Sequence, residues 1–147
     1  MKNIIFIPNI DCGDGRNAPY RYSIKSYKKW AEQYDDIKVI EWTEPIIEVE
    51  DFPVIYQREW VLDILEHNNV DYNQVAVVDS DTIIHPDCPN FFEETNDEYS
   101  VVLNNGCYDW VLRGINGWGE HLFPDEEKPK VWEYHNSGFV ILNKKHK

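Results

Sequence analysis

Cations are scarce in this chain. Fourteen Lys and Arg face twenty-seven Asp and Glu, and the formal net charge is -13. A protein that grips nucleic acid needs a basic surface to neutralise phosphates, so that class of partner is excluded. One diphosphate held through a divalent cation remains open, because the metal supplies the positive charge. Cysteine is sparse too. Cys12, Cys88 and Cys107 are an odd number at wide spacings, without a CxxC or Cys/His ligand pattern, and read as the reduced thiols of a cytoplasmic protein. No apolar run approaches a transmembrane span. The opening "MKNIIFIPNID" carries too short a run for a signal peptide. Internal repeats and low-complexity tracts are missing as well.

What the chain does have is a globular composition. Its 147 residues are 42% hydrophobic, enough for one domain, 1–147, around one core. Six Trp and nine Tyr are many for this length. Such side chains fill cores, and they also stack and hydrogen-bond flat, polar ligands.

The apolar pattern alternates between strands and helices. "NIIFIP" predicts a buried strand stopped by Pro8, followed by the turn-rich "NIDCGDGRNAP". Pro19 opens a helix in which Tyr20, Ile24, Tyr27, Trp30, Ala31 and Tyr34 share a face, with Arg21, Lys25, Lys28 and Lys29 opposite. "IKVIEW" is a second strand. Val54–Asn68 predicts a helix with Tyr56, Trp60, Ile64 and Leu65 on its inner side. "QVAVVD" is a third strand, apolar nearly throughout, as expected where helices cover both faces of a parallel sheet. "YSVVLN" and "GFVILN" are the fourth and fifth strands. Between them "GINGWGEHLFPDEEKPK" is rich in Gly, Pro and charge, and predicts a long loop. The expected class is α/β, with a mostly parallel central sheet flanked by helices.

The third strand drives into "DSD". Asp79 and Asp81 lie two residues apart, so in extended backbone their side chains point the same way. At the carboxyl end of a parallel strand that direction faces the ligand crevice. Two convergent carboxylates repel each other and suit a shared hard cation, Mg²⁺ or Mn²⁺. Alternatively, one aspartate caps the next turn and the other is exposed.

"VAVVDSDTIIHPD" resembles the DxD segment of nucleotide-sugar glycosyltransferases with the Rossmann-like GT-A fold, and "YHNSGFVILNKK" is similar to their Asn-Ala/Ser-Gly strand, above all in glycosyltransferase family 8 and relatives. The resemblance implies a metal-dependent enzyme of hexosyltransferase type, using Mn²⁺ or Mg²⁺. The donor it implies is a nucleoside-diphosphate sugar, with UDP as the nucleotide, and the acceptor is a glycan, protein or lipid-linked hydroxyl. It implies that Asp81 holds the metal on the donor's diphosphate and that Asp79 meets ribose, metal or both. Ser80 would line the donor site through its backbone. Asn136, Ser137 and Gly138 match the segment near the transferred sugar, and Pro8 and Asn9 the place where base and ribose are held. Arg16 is within reach of a phosphate. Many members supply a later metal ligand, often His. His121 and His135 match it by residue type only, His146 sits too close to the strand to be a clear counterpart, and the chain reads as minimal, as truncated, or as a segment of a longer protein. Glu120, Asp125 and Glu126 are candidate bases among which nothing selects. Two other readings compete: a nucleotide-sugar-binding domain without turnover, and a Mg²⁺-dependent phosphotransferase of haloacid dehalogenase type with Asp79 as nucleophile.

Overall fold

The computed structural model describes residues 1–95, 97–103, 107–125 and 127–147. The strands are β1 (Lys2–Pro8), β2 (Ile37–Trp42), β3 (Tyr72–Val78), β4 (Ser100–Leu103) and β5 (His135–Leu142). The helices are α1 (Tyr20–Ala31), α2 (Val54–Gln57), α3 (Val61–His67), α4 (Phe91–Glu94) and α5 (Tyr108–Leu122). The chain divides into two compact units, Met1–Ser100 with Gly138–Lys147, and Val101–Ser137.

The sheet order is β2-β1-β3-β5-β4. β1 pairs in parallel with β2 and β3, whereas β3 pairs antiparallel with β5, Val75 opposite Leu142 and Val78 opposite Phe139. The sheet is therefore mixed, a correction to the mostly parallel expectation. Periodicity alone does not fix strand direction, which is why the parallel expectation holds for β1 with β2 and β3 and not for β3 with β5.

The central strands are apolar on both faces because both are covered. Ile5, Ile7, Ala76 and Val78 pack with Ile24, Tyr27 and Trp30 of α1. The alternate residues Ile4, Phe6, Val75 and Val77 pack with Val61, Leu62 and Leu65 of α3. Each such fully buried large apolar side chain contributes about 2 kcal/mol.

Two expected elements differ. The helix over Val54–Asn68 is broken into α2, a 3-10 turn at Arg58–Trp60, and α3. Its inner face is Gln57, Val61, Leu62 and Leu65, while Tyr56 and Trp60 stay exposed. The reason is Gln57. Its amide is fully buried and hydrogen-bonds the backbone of Ile46, Ile47 and Phe52, so the helix is rotated to aim a polar residue inward.

The expected long loop, residues 114–130, begins inside a fifteen-residue helix, α5, from Tyr108 to Leu122, so its first nine residues are helical. Val111, Ile115 and Gly119 recur at helical spacing and are buried. Two of its glycines are spacers: a Cβ on Gly114 would lie 3.0 Å from Tyr134 Oη, and one on Gly119 3.2 Å from Lys128 Cδ. Glycine there serves close packing, not a turn. Of the expected strand Tyr99–Asn104, residues Ser100–Leu103 form β4, and Asn104 lies outside the described residues.

Candidate functional site

β3 ends at Val78, and Asp79 is the first residue of the turn that follows. Its N–H donates to the Gly138 carbonyl at 2.8 Å, which ties the turn to β5. Its carbonyl accepts the Thr82 amide at 3.2 Å and the Thr82 hydroxyl at 2.6 Å. That hydroxyl has one proton and spends it on the carbonyl, so Tyr27 is the donor in the 3.0 Å contact between Tyr27 Oη and Thr82 Oγ1. Burial raises the Tyr27 pKa, in keeping with a neutral, donating phenol.

Beyond the turn the chain is fastened to α1. The Ile84 amide donates to Ser26 Oγ at 3.2 Å, and Trp30 Nε1 donates to the Cys88 carbonyl at 2.8 Å. The aspartate turn is thus held by a strand on one side and a helix on the other.

A cleft of about 300 Å³ opens at the carboxyl ends of β1 and β3. It brings together Pro8, Asp79, Ser80 and Asp81 of the expected set, and Arg16 joins them. Arg16 arrives on a loop shaped by two side-chain turns, in which Asp11 accepts from Gly13 N and Asp14 from Arg16 N. Gly13 and Gly15 sit at φ +75° and +71°, where other residues are strained.

Asn9 is placed differently. Its Nδ2 donates to Glu41 at 2.8 Å, and it lines a neighbouring cleft rather than this one. Asn136 and Ser137 are exposed on the first residues of β5 and belong to the Val101–Ser137 unit, whereas Gly138 is buried beside Asp79. His121 and His135 also lie in that unit. His146 Nδ1 accepts the Asn143 amide at 3.1 Å, a local capping role. Glu120 pairs with Lys128 at 3.5 Å, Asp125 is exposed, and Glu126 lies outside the described residues.

The sequence missed one residue of the cleft. Arg58, on the 3-10 turn, forms an ion pair with Asp79 while its side chain is only 15% exposed. Its signal was weak, because a lone Arg in a helical pattern reads as solvated. Asp79 thus carries a countercharge that the sequence did not point to, while Asp81 is exposed in the cleft. Arg16 and Arg58 thus face Asp14, Asp79 and Asp81 along the walls.

No cluster of three or more His, Cys, Asp or Glu able to hold a metal exists among the described residues. The donor set still suits Mg²⁺ or Mn²⁺ in its commonest mode, in which one or two carboxylates bind and substrate phosphates and waters complete the shell. No helix among the described residues is long and apolar enough to cross a membrane.

No family model and no curated protein matches the chain. Among solved structures, it is similar to a glycosyltransferase involved in the glycosylation of the major capsid of PBCV-1, with a TM-score of 0.61 and 12% identity. The match covers 99% of this chain and 61% of that one, so the chain spans about three fifths of that protein's length. At this identity the likeness is one of fold: the chain has an α/β fold shared with a glycosyltransferase.

Proposed function

We propose that this chain is a metal-dependent glycosyltransferase domain that takes a nucleoside-diphosphate sugar, with UDP as the favoured nucleotide, and transfers the sugar to an acceptor hydroxyl. The observation that supports it most is the cleft at the ends of β1 and β3, lined by Pro8, Asp79, Ser80 and Asp81, on a fold shared with a glycosyltransferase. The sequence resemblance to the DxD and Asn-Ser-Gly segments points the same way.

In this reading Asp81 carries the cation and Asp79 supports it or meets the ribose. A divalent cation bound there would offset the charge that builds on the departing diphosphate. Arg58 and Arg16 add fixed positive charge beside the phosphates, and Arg58 also fixes the Asp79 carboxylate. The chain's remaining task is to hold the acceptor hydroxyl in line with the sugar carbon. The phosphotransferase alternative needs Asp79 as a free nucleophile, and its pairing with Arg58 favours the transferase.

A thermal-shift screen of nucleotide sugars with and without Mn²⁺ tests this, since a ligand of the native state raises apparent stability by mass action. UDP-sugars should stabilise with Mn²⁺ and only weakly in EDTA. Equal stabilisation in EDTA removes the metal role, and no stabilisation by any nucleotide sugar removes the reading. Binding without transfer or hydrolysis would leave a donor-binding domain without turnover.

A further inference from the structure

The Val54–His67 segment lines two clefts. Val54, Ile55 and Arg58 face the aspartate turn, and Trp60, Asp63 and Ile64 contribute to another cleft of about 600 Å³, with Trp42, Glu44, Ile46 and Ile47. We infer that this second cleft is a binding site for a neutral carbohydrate. The inference stands on its own residues and goes beyond the donor reading.

Three observations carry it. The first is exposed apolar surface held in place. Ile46 is 51% exposed, and Ile47 and Trp60 are each 37% exposed, in one concave patch. A clustered patch of this kind marks an interaction site, whereas scattered exposed residues do not.

The second is rigidity. The rim loop does not collapse onto the protein, because the fully buried Gln57 grips it. Gln57 Oε1 accepts from the Ile46 and Ile47 amides at 2.8 and 3.2 Å, and its Nε2 donates to the Ile47 and Phe52 carbonyls at 2.8 and 3.1 Å. Both indoles are braced: Trp60 against Phe52, with ring centres 5.4 Å apart, and Trp42 against Phe6 at 5.6 Å. A wall already ordered loses little freedom when a ligand arrives.

The third is the chemistry of the walls. Two indoles offer apolar faces, while the Glu44 and Asp63 carboxylates offer acceptors and His67 stands beside them. Asp63 is matched by Lys147, but Glu44, in a chain of net charge -13, repels anions, and both carboxylates hold water. A purely apolar partner would strip water from them without repayment. A sugar ring meets both demands: its C–H face packs on an indole, and its hydroxyls donate to carboxylates. Asp63 also pairs with Lys147 at 2.7 Å, which holds its carboxylate in position.

The test uses the chain's six tryptophans, each with one indole N–H resonance. Maltotetraose, cellotetraose and chitotetraose are titrated in turn into the labelled protein, with Trp42→Phe and Trp60→Phe assigning the two indoles. The expected result is saturable shifts of Trp42 and Trp60 with at least one sugar, at a Kd of about 1 mM or tighter. Trp60→Ala should weaken that binding at least about tenfold, and Glu44→Ala should weaken it severalfold without touching an indole. Stabilisation by UDP-sugar with Mn²⁺ should persist in both variants, so this inference and the donor reading fail separately. No shift with any of the three sugars at about 10 mM overturns it. So do shifts confined to the other four tryptophans. Shifts of Trp42 and Trp60 that follow protein concentration without sugar would give the cleft to a second copy of the chain instead.

Discussion

Arg58 reaches the Asp79 carboxylate from a three-residue 3-10 turn, and the two make the cleft's pairing of fixed charges across elements. Asp79 and Asp81 are therefore not equivalent, although the sequence presents them as twins. One is the anchor of an ion pair and the other an exposed acid.

Two substitutions should separate the pair. Asp79→Asn removes the carboxylate charge from its pair with Arg58, which keeps Glu59 at 3.7 Å, and should lower the stability of the ligand-free protein by about 1 kcal/mol, the scale of a partly exposed ion pair. Asp81→Asn should leave that stability unchanged or slightly raised, yet abolish the gain from UDP-sugar with Mn²⁺. Urea unfolding of each variant, with and without ligands, measures both effects. A large loss of stability in ligand-free Asp81→Asn, with the ligand gain intact, would make Asp81 structural.

Gln57 is the buried polar group on which the rim loop hangs. Gln57→Leu keeps the volume but leaves the Ile46 and Ile47 amides without their acceptor, at a cost of about 2 kcal/mol. Hydrogen exchange at those two amides should accelerate far more than exchange in β1. Uniform acceleration through the whole chain would mean that the loop and the core unfold together.

The three glycines of α5 make a graded series. A Cβ on Gly117 meets nothing within 4 Å, so Gly117→Ala should stabilise the helix by up to about 1 kcal/mol. Gly119→Ala presses on the aliphatic stem of Lys128, which can shift, and should gain less. Gly114→Ala meets the Tyr134 ring, which stands edge-on against Trp110, and should lose stability. Exchange rates of α5 amides rank the three, and a reversed order would refute the packing described.

Alkaline pH should expose Tyr72. Burial first, then the Glu66 carboxylate, pushes its pKa up from 10.0 to about 12. The native state therefore keeps a proton that the unfolded chain releases. This contribution is complete below pH 10.0 and is lost as pH rises through about 12. Tyr27 and Lys147, also raised, act in the same direction, so Tyr72→Phe should flatten the decline without abolishing it. Stability curves from urea titrations across that window give the comparison, and identical slopes would contradict the shift.

The strands and α1 were legible because their patterns are strong and local. β1 and β3 carry continuous apolar runs, β2 is a β-branched segment interrupted by Lys38 and Glu41, and α1 repeats at three and four residues behind Pro19. The placing of Asp79 and Asp81 in a cleft followed from where parallel strands end, whereas Pro8 and Ser80 came from the resemblance alone. What stayed hidden depends on partners distant in sequence. Gln57 looks like a surface residue until the loop it holds is known. Arg58 looks solvated until the end of β3 arrives beside it. The glycines of α5 read as turn formers, because their packing against Tyr134 and Lys128 leaves no trace in local periodicity.

The antiparallel pairing of β3 with β5 has a kinetic side. Val75 meets Leu142, and the Asp79 amide meets the Gly138 carbonyl, across a long intervening stretch that includes α4, β4 and α5. Contacts so far apart are expensive in loop entropy and form late. Until β5 docks, β3 has an open, apolar edge that invites pairing with other chains. Refolding should thus pass through a stage in which β1, β2 and β3 are assembled while the aspartate turn is still loose, so that the cleft lined by Asp79 and Asp81 takes shape only in the closing step.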